Sequence, residues 1–411
     1  MGNKTSDNKK TFFNHLAQTS DFPIGLEVDR ADGIYIFDKD GKKYMDMISG
    51  ISVNNIGHSH PYVIQAIHNQ LKKHMHVMAY GEFIQDAQSQ LAEKLAEILP
   101  SNLNCFYLVN SGTEANEGAV KLAKRYTGRA EIISCYNSYH GNTSGSLSIS
   151  GNENKKYAFR PLIPGIRFIQ FNKVSDLDKI TDKTAAIIIE PIQGDAGVRI
   201  PSKRYMQALR DKCDETGALL ILDEVQTGFG RTGKWFAFEH FNIVPDILTI
   251  AKAMGGGMPI GSFIANREIM NSFTHHPKLG HITTFGGHPV NCAAARATIE
   301  VFQNENIISE VEEKGRLLES LLKHNAIREI RRIGLMMAIE FNNAGIVEDI
   351  VKGCLKEGII TFWFLSTSNS FRLAPPLIIT SQQIKEAAEK IISVIDKALD
   401  MFNNHTLNSS G

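Results

Sequence analysis

The sequence has little cysteine and no excess of either charge. Its five cysteines are odd in number and far apart, without a CxxC pair: Cys105, Cys135, Cys213, Cys292 and Cys354. This pattern excludes a disulfide framework or a zinc ribbon and predicts reduced thiols in a cytoplasmic protein. Lysine plus arginine equals aspartate plus glutamate, at 44 each. Since no global field attracts nucleic acid or an anionic membrane, we expect neither as a partner.

Long hydrophobic runs are also missing. No apolar stretch reaches the roughly 18 residues that a membrane span requires, and the N-terminal MGNKTSDNKKTFFNH lacks the apolar core of a signal peptide. The composition, 43% hydrophobic and 21% charged, is that of an ordinary globular protein. A chain of 411 residues exceeds the usual size of one core, so we expect two domains, or a large and a smaller one.

Short β-branched runs alternate with amphipathic stretches in the middle of the chain. The predicted strands are 105–109, 131–135, 185–189, 218–222, 247–250 and 262–265, and helical patterns include 114–126 and 202–216. Several runs are apolar throughout, as strands buried on both faces should be. The alternation predicts an α/β fold with a large, mostly parallel sheet flanked by helices. Ligands of such sheets bind beyond the carboxyl ends of the strands.

Both ends of the chain differ from this middle part. The region 33–47 predicts a hairpin with Asp40-Gly41 as its turn. Beyond residue 288 we predict one long helix from 289 to about 324, strands at 333–341, 359–364 and 371–374, and a final helix over 381–401. The inference is a smaller α+β domain built from both termini. The predicted divisions are 1–56 in the smaller domain, 57–297 as the large domain, 298–402 in the smaller domain again, and 403–411 as a polar tail.

Lys252 has an unusual setting for a lysine. It follows the apolar run 247–251 and precedes three glycines at 255–257, which remove side chains from the space beside it. A desolvated lysine has a lowered pKa, and its amine becomes a nucleophile able to form a Schiff base with an aldehyde. The alternative is a solvated surface charge, since lysine is rarely buried without a partner. Its local sequence leaves both interpretations open.

A candidate anion site follows the first predicted strand of the middle part. Ser111, Gly112 and Thr113 lead directly into a helix, where backbone amides and two hydroxyls form a suitable cradle for a phosphate. The structural alternative is that Ser111 or Thr113 only caps the helix.

Asp223 and Glu224 directly follow another predicted strand, 218–222. They could hold Mg²⁺, or one of them could bind a protonated ring nitrogen. The segment from Gly228 to Lys234 contains a GxGxxG and nearly matches a P-loop, but Trp235 stands where a Mg²⁺-binding hydroxyl is needed. A nucleotide site here is therefore a weak alternative, and isolated histidines such as His140 lack a second ligand at metal spacing.

Together, these features are the parts that hold pyridoxal phosphate: an anion cradle, an aromatic ring at Tyr139, a carboxylate at Asp223 and an amine at Lys252. From Gly33 to about Leu399 the chain resembles the class III pyridoxal-phosphate aminotransferases of the ornithine, acetylornithine and 4-aminobutyrate type. The matching segments are GHSHP (57–61), NSGTEANEGAVKLAKR (110–125), EPIQGDAGV (190–198), LDEVQTGFGRTGKWFAFEH (222–240), AKAMGGGMPIG (251–261), TTFGGHP (283–289) and FRLAPPL (371–377).

The resemblance implies a fold type I transferase and a role for each matching residue. Lys252 would carry the cofactor as a Schiff base and move the proton, and Asp223 would keep the pyridine nitrogen protonated. Gln226 would bind the phenolic oxygen. The remaining cofactor contacts would be Ser111, Gly112, Thr113, Tyr139, His140 and Val225, with Thr284 reaching the phosphate of the other subunit. A homodimer is thereby implied.

The same resemblance implies a substrate site in which Arg372 clamps the α-carboxylate. Glu190 and Asp195 would line the pocket, and one of them could mask Arg372; Asp195 is shorter than the glutamate of many relatives. Asn142 replaces a common arginine, which weakens the acetylornithine and 4-aminobutyrate assignments. Ile51 replaces a tyrosine of ornithine enzymes, which weakens that assignment too.

The predicted function is transamination from an ω- or α-amino donor, such as an ornithine-like one, to a 2-oxo acid such as 2-oxoglutarate or pyruvate, by ping-pong half-reactions. The alternatives are a 4-aminobutyrate, other ω-amino acid or amine:pyruvate aminotransferase, and an aminomutase.

Overall fold

The structure is a computed structural model that describes residues 4–408, with the side chains of residues 8–402. The outermost residues of the predicted N-terminal segment and polar tail, 1–3 and 409–411, lie outside the described residues. None of the described helices is both long and apolar enough to cross a bilayer.

The strands and helices are numbered in chain order. The strands are β1 (Val28–Asp32), β2 (Tyr35–Asp38), β3 (Lys43–Asp46), β4 (Cys105–Val109), β5 (Glu131–Cys135), β6 (Ile166–Ile169), β7 (Thr184–Ile189), β8 (Leu219–Asp223), β9 (Ile247–Ile250), β10 (Gly261–Ala265), β11 (Ile327–Ile333), β12 (Met336–Phe341), β13 (Ile359–Ile360), β14 (Phe362–Trp363) and β15 (Ser370–Leu373). The helices are α1 (Lys4–His15), α2 (Ser49–Ser52), α3 (Pro61–Lys73), α4 (Asp86–Ile98), α5 (Gly112–Thr127), α6 (Ser144–Ile149), α7 (Lys203–Thr216), α8 (Arg267–Met270), α9 (Pro289–Asn304), α10 (Val311–Leu321), α11 (Gly345–Lys356) and α12 (Ser381–Asn408).

A seven-stranded sheet occupies the middle of the molecule, in the order β4-β10-β9-β8-β7-β5-β6. The pairs from β9 to β6 are parallel, and β10 is antiparallel to both of its neighbours. Helices cover its two faces, and each face has its own apolar core. The predicted α/β fold with a large, mostly parallel sheet is confirmed. The sequence missed β6, an edge strand of four residues in which the exposed Arg167 interrupts the apolar run.

This sheet brings the candidate residues to one edge. Because β10 runs against both β4 and β9, those two strands point the same way as β5, β7 and β8. Their carboxyl ends lie together, and the segments that follow them carry Ser111, Tyr139, Glu190, Asp223 and Lys252.

Two four-stranded sheets come from the ends of the chain, in the orders β1-β2-β3-β13 and β11-β12-β15-β14. The predicted hairpin is β2 and β3, and Gly41 in its turn has a φ of 82°. β13 lies parallel to β3, so N-terminal and C-terminal segments share one sheet. The domain divisions at residues 57 and 298 stay a prediction.

Four predicted elements of the C-terminal part were wrong in their extent. The strand over 333–341 contains the end of β11, a turn at Gly334 and Leu335, and β12. The helix over 289–324 is interrupted after α9, because Asn306 adopts a left-handed φ of 49°, and α10 begins only at Val311. The strand over 359–364 is two short strands, β13 and β14. The last helix, α12, does not stop at residue 401 but continues through Asn408.

Candidate active site

A cavity of about 480 Å³ lies at the carboxyl edge of the central sheet. Among the predicted site residues, its lining contains Ser111, Gly112, Thr113, Tyr139, His140, Asn142, Glu190, Asp195, Asp223, Val225, Gln226 and Lys252. The lining does not contain three others, Ile51, Thr284 and Arg372. Most of the predicted residues, from positions more than 100 residues apart, therefore line one cavity, and their roles stay a prediction.

Asp223 is buried at the base of this cavity. Its Oδ2 accepts hydrogen bonds from His140 Nδ1 and from Asn116 Nδ2, both at 2.7 Å. Its Oδ1 accepts a bond from the backbone amide of Val225 at 3.0 Å. The carboxylate is thus held mainly through Oδ2, and Oδ1 keeps a lone pair for a ligand in the cavity.

Asn116 is a member of this site that the sequence analysis missed. Its Nδ2 also donates to the carbonyl of His140 at 2.8 Å, and its Oδ1 accepts a bond from Thr249 Oγ1 at 2.7 Å. These contacts fix both the amide and the loop that carries His140. The available signal was a polar side chain on the buried, alanine-rich face of α5, between Ala115 and Ala119.

Lys252 follows β9 directly and has a left-handed φ of 48°. Its Nζ makes no hydrogen bond to any residue that the structure describes. Burial lowers the pKa of this amine, and the positive charge of Arg372 lowers it further; Asp223, Glu190 and Asp195 act in the opposite direction without reversing the shift. A half-buried amine that loses its proton easily is suited to nucleophilic attack.

The start of α5 forms one wall of the cavity. Ser111 Oγ caps the helix by accepting a hydrogen bond from the Glu114 amide at 3.2 Å. The helix-capping role that the sequence offered for Ser111 is therefore present. The amides of Gly112 and Thr113 lie in the first turn, where they have no intrahelical acceptor. A Cβ on Gly112 would stand 2.7 Å from Val225 Cγ1, so only glycine leaves this cradle open.

Glu190 supports the aromatic side of the cavity. Its two carboxyl oxygens accept bonds from the amides of Tyr139 and Gly194, both at 3.0 Å. Burial raises the pKa of this carboxyl to about 7 and the negative charge of Asp223 adds to the rise, although His140 and the two amides oppose it.

Asp195, which lines the cavity, forms a buried ion pair with Arg372, which lies outside the lining. Asp195 Oδ1 lies 2.7 Å from Arg372 Nη2, so the shorter aspartate does reach the arginine. Arg372 Nε donates to the carbonyl of Trp363 at 3.1 Å, and its guanidinium lies 4.5 Å from the ring centre of Phe364. Burial lowers the pKa of Arg372, and Asp195 counteracts that shift.

The remaining predicted residues lie around this centre. Asn142 is exposed at the cavity mouth, and Gln226 is half-buried in its wall. Ile51 is half-buried with a left-handed φ of 63°, and its neighbour Val53 lines the cavity instead. Thr284 lies outside the cavity on an exposed segment, where its carbonyl accepts a bond from His76 Nε2 at 3.0 Å.

The glycine-rich segment after Glu224 is not open to a nucleotide, since residues 227–232 are buried. Glu224 accepts bonds from the Ala237 and Phe238 amides at 2.9 and 2.8 Å, and burial raises the pKa of its carboxyl to about 7. Arg231 is fully buried, and its guanidinium donates to four oxygens: those of Leu335, Pro375, Ser49 and Asn55. These two charged residues organise the loop from within.

The cavity fits pyridoxal phosphate. Lys252 provides an amine without a hydrogen-bond partner in the described chain, and Asp223 provides a carboxylate with a free lone pair. The cradle at Gly112 is open only because that residue has no Cβ. The same cavity therefore offers an amine for the aldehyde of the cofactor, a carboxylate for its ring nitrogen and a helix start for its phosphate.

Comparisons with known proteins agree with this chemistry. The chain matches the family model of the class-III aminotransferases over residues 16–395. It is 43% identical to an acetylornithine aminotransferase of Methanocaldococcus jannaschii, over 93% of this chain and 95% of that protein. It is 36% identical to a LysW-aminoadipate semialdehyde/glutamate semialdehyde transaminase of Sulfolobus acidocaldarius, over 91% and 97% of the two chains. An ornithine aminotransferase structure from Toxoplasma gondii superposes with a TM-score of 0.89 at 28% identity, covering 97% of this chain and 95% of that one.

The chain belongs to the class III aminotransferases. It is an enzyme that uses pyridoxal phosphate to transfer amino groups between small amino and keto acids. The family, the fold type, the cofactor and the aminotransferase activity predicted from the sequence are confirmed.

Proposed function

We propose that this aminotransferase moves the terminal amino group of an ornithine-like donor to a 2-oxo acid such as 2-oxoglutarate or pyruvate, by ping-pong half-reactions. One observation carries the proposal: the unpaired amine of Lys252 shares its cavity with Asp195, whose partner Arg372 lies just behind the wall. A terminal amine leaves this ion pair intact, whereas a 2-oxo acid offers a carboxylate to Arg372. The ornithine-type names of the relatives support the same donor class.

The proposed cofactor site follows from the groups around the cavity. Lys252 would bind the cofactor covalently, and the amides and hydroxyls of Ser111, Gly112 and Thr113 would hold its phosphate. Asp223 would hold the ring nitrogen, and Gln226 would donate to the phenolic oxygen. Tyr139 and Val225 would contact the ring, and His140 holds Asp223 in place. When bound, the cofactor withdraws electrons from the substrate carbon that loses its proton.

Lys252 is the proposed proton carrier of both half-reactions. Its Nζ, which has no hydrogen-bond partner in the described chain, would take up and return the proton inside the cavity. Because burial lowers the pKa of this amine, it gives up its proton more readily than an exposed lysine, as a general base requires. His140 and Asn116 fix the Asp223 carboxylate in the cavity through hydrogen bonds to Oδ2.

Asn142 bears on the choice among donors. Lys252 is the one lysine or arginine among the described residues that line the cavity; the acids there are Glu190, Asp195 and Asp223, and the neutral Asn142 lies at the mouth. A donor with a net negative distal end therefore meets no cation there within the described chain. This observation favours a second candidate activity, an amine:pyruvate aminotransferase that accepts donors without a distal carboxylate.

The test is a panel of ornithine, acetylornithine, 4-aminobutyrate, β-alanine, alanine and 1,4-diaminobutane, each against 2-oxoglutarate and pyruvate. We expect ornithine or the diamine to be the best donor and 4-aminobutyrate to react poorly. Asn142→Arg should raise kcat/KM for 4-aminobutyrate and acetylornithine about tenfold and leave the diamine unimproved. Good turnover of 4-aminobutyrate by the unaltered enzyme would contradict the role given to Asn142.

A homodimer is proposed in which Thr284 contacts the phosphate of the partner subunit. The supporting observation is the exposed apolar surface beside Thr284, where Phe285 is 56% and Ile282 46% exposed. Such exposure in a large protein favours burial against another chain.

Mixing two inactive or weak variants tests this dimer directly. The Lys252→Ala subunit lacks the amine but supplies Thr284 to the site of its partner. The Thr284→Ala subunit lacks Thr284 but retains the amine of Lys252. If subunits exchange, half of the dimers are mixed and each has one complete site, so activity at limiting cofactor should reach about a quarter of the wild-type value. No gain over the separate variants, with light scattering showing a monomer, would refute the arrangement.

We also propose a cytoplasmic location. The five cysteines are all unpaired, and burial raises the pKa of Cys135, Cys213, Cys292 and Cys354 to about 12, as expected for packed thiols in a reducing compartment. Fractionation of the source cells would test this.

A further inference from the structure

The loop between β14 and β15 holds the carboxylate of Asp195. The backbone amide of Leu365 donates to Asp195 Oδ1 at 3.1 Å, and the hydroxyl of Ser366 donates to Oδ2 at 3.3 Å. Asp195 belongs to the segment after β7, so these bonds join the central sheet to the C-terminal sheet beside the cavity. With Arg372, the buried carboxylate has three partners.

Asn152 sets the direction of the Ser366 hydroxyl. Its Nδ2 donates to Ser366 Oγ at 3.1 Å, while its Oδ1 accepts the amide of Asn154 and so fixes the side-chain amide. Because Ser366 Oγ receives this hydrogen bond, its own hydrogen is available for Asp195. Each hydrogen bond in the series from Asn152 through Ser366 to Asp195 is therefore donated in the direction of the Asp195 carboxylate.

Arg372 cannot bind a second carboxylate without affecting Asp195. Its Nε–H is occupied by the carbonyl of Trp363, and Nη2 already donates to Asp195. Its two Nη1 hydrogens and the second Nη2 hydrogen carry no hydrogen bond in the described chain, so a bidentate substrate carboxylate binds across Nη1 and Nη2 and shares the guanidinium charge with Asp195. Asp195 thereby loses part of the attraction of its positive partner while it remains buried, and a buried carboxylate is costly unless other groups compensate it.

We infer that Ser366 is a specificity-determining positioning residue, which stabilises Asp195 when Arg372 turns to a substrate carboxylate. The inference rests on the proposed role of Arg372. A hydrogen bond to a carboxylate strengthens as the competing guanidinium charge leaves, and the present length of 3.3 Å leaves room for shortening. Ser366 thus favours binding of 2-oxo acids and α-amino acids, and it has no effect on a donor that reacts through a terminal amine.

The test uses the holoenzyme and three variants. Ser366→Ala removes the hydroxyl, and Ser366→Thr retains it. Ser368→Ala is the matched control, because Ser368 is an exposed serine of the same loop with no hydrogen bond to the described chain. Glutarate, an unreactive dicarboxylate, probes Arg372 by calorimetry without any turnover. Steady-state kinetics give kcat/KM separately for 2-oxoglutarate and for the best terminal-amine donor.

We expect Ser366→Ala to weaken glutarate binding and to lower kcat/KM for 2-oxoglutarate, each about three- to tenfold. Its kcat/KM for the donor should stay within about twofold, and Ser366→Thr and Ser368→Ala should behave as the unaltered enzyme. Equal losses for donor and oxo acid, or the same glutarate affinity in Ser366→Ala and Ser368→Ala, would overturn the inference. Glutarate binding that survives Arg372→Leu overturns it as well. A failed donor panel, in contrast, affects only the proposed function.

Discussion

His140 Nδ1 lies 2.7 Å from Asp223 Oδ2, and both side chains are buried. A carboxylate only accepts hydrogen bonds, so the imidazole must carry its proton on Nδ1. His140 Nε2 is buried and has no hydrogen-bond partner in the described chain. The proton on Nδ1 is thereby fixed; Oδ2 of Asp223 accepts two hydrogen bonds from side chains, whereas Oδ1 accepts only the Val225 amide and keeps a lone pair.

Replacing Asp223 with alanine should lower kcat by roughly 100-fold or more, because the charge that stabilises a protonated ring nitrogen is lost. Substrate KM should change much less. Steady-state kinetics with donors deuterated at the reacting carbon would check this, since slower proton removal increases the isotope effect on kcat. Asp400→Ala, an exposed aspartate of α12, is the control. Equal changes in kcat and KM would point to a binding role for Asp223 instead.

Replacing Lys252 with alanine should abolish covalent attachment of the cofactor and essentially all turnover. After borohydride reduction, mass spectrometry should find the cofactor on the unaltered enzyme and on Lys385→Ala, a change at an exposed lysine, but not on Lys252→Ala. A reducible adduct at another lysine of the Lys252→Ala variant would refute the assignment.

The pH dependence of Lys252 labelling should differ from that of exposed lysines. Because its folded-state pKa is lowered, the neutral amine is present at lower pH than in an unfolded chain. Competitive labelling of the cofactor-free protein, read by mass spectrometry, should modify Lys252 at a lower pH than Lys385. Arg372→Leu should shift the Lys252 profile to higher pH, because it removes a charge that lowers the pKa. In urea the two lysines should label alike.

Gly112→Ala should raise the dissociation constant for pyridoxal phosphate about tenfold or more, because the new Cβ would meet the two methyl groups of Val225 at 2.7 and 2.9 Å. Val225→Ala removes both methyl groups. In the presence of Val225→Ala, adding Gly112→Ala should change the dissociation constant for pyridoxal phosphate only slightly. The coupling free energy between the two positions should then be about 1–2 kcal/mol. Spectroscopic titration of the cofactor-free protein measures all four constants. If the losses of cofactor affinity in the two single variants simply add in the double variant, the effect of Gly112→Ala does not come from a clash with Val225.

The sequence predicted the central sheet well because its strands are short, apolar runs buried on both faces. It predicted the site because helix starts, adjacent acids and a lysine beside glycines follow those strands directly. Local patterns could not reveal β6, which is short and polar at Arg167, or the helix break at Asn306, where a polar residue takes a left-handed conformation.

Partners distant in the chain were the other source of error. Ser366 bonds Asp195 across 171 residues, and Asn116 bonds Asp223 across 107. The local sequence around Ser366 and Asn116 does not predict these hydrogen bonds, because a serine in a polar loop and an asparagine in a helix are both common. Only the folded chain brings these pairs together.

Arg231 has a consequence for how the chain can be divided. Its buried guanidinium donates to Ser49 and Asn55 on one side and to Leu335 and Pro375 on the other. Separating the pieces after a cut near residue 57 would remove the acceptors Ser49 and Asn55, and a cut near residue 298 would remove Leu335 and Pro375, so either cut would take two of the four acceptors from the buried guanidinium. Fragments made at these points should therefore be unstable alone, and the two ends of the chain should be needed together for the loop after Asp223 to take its shape.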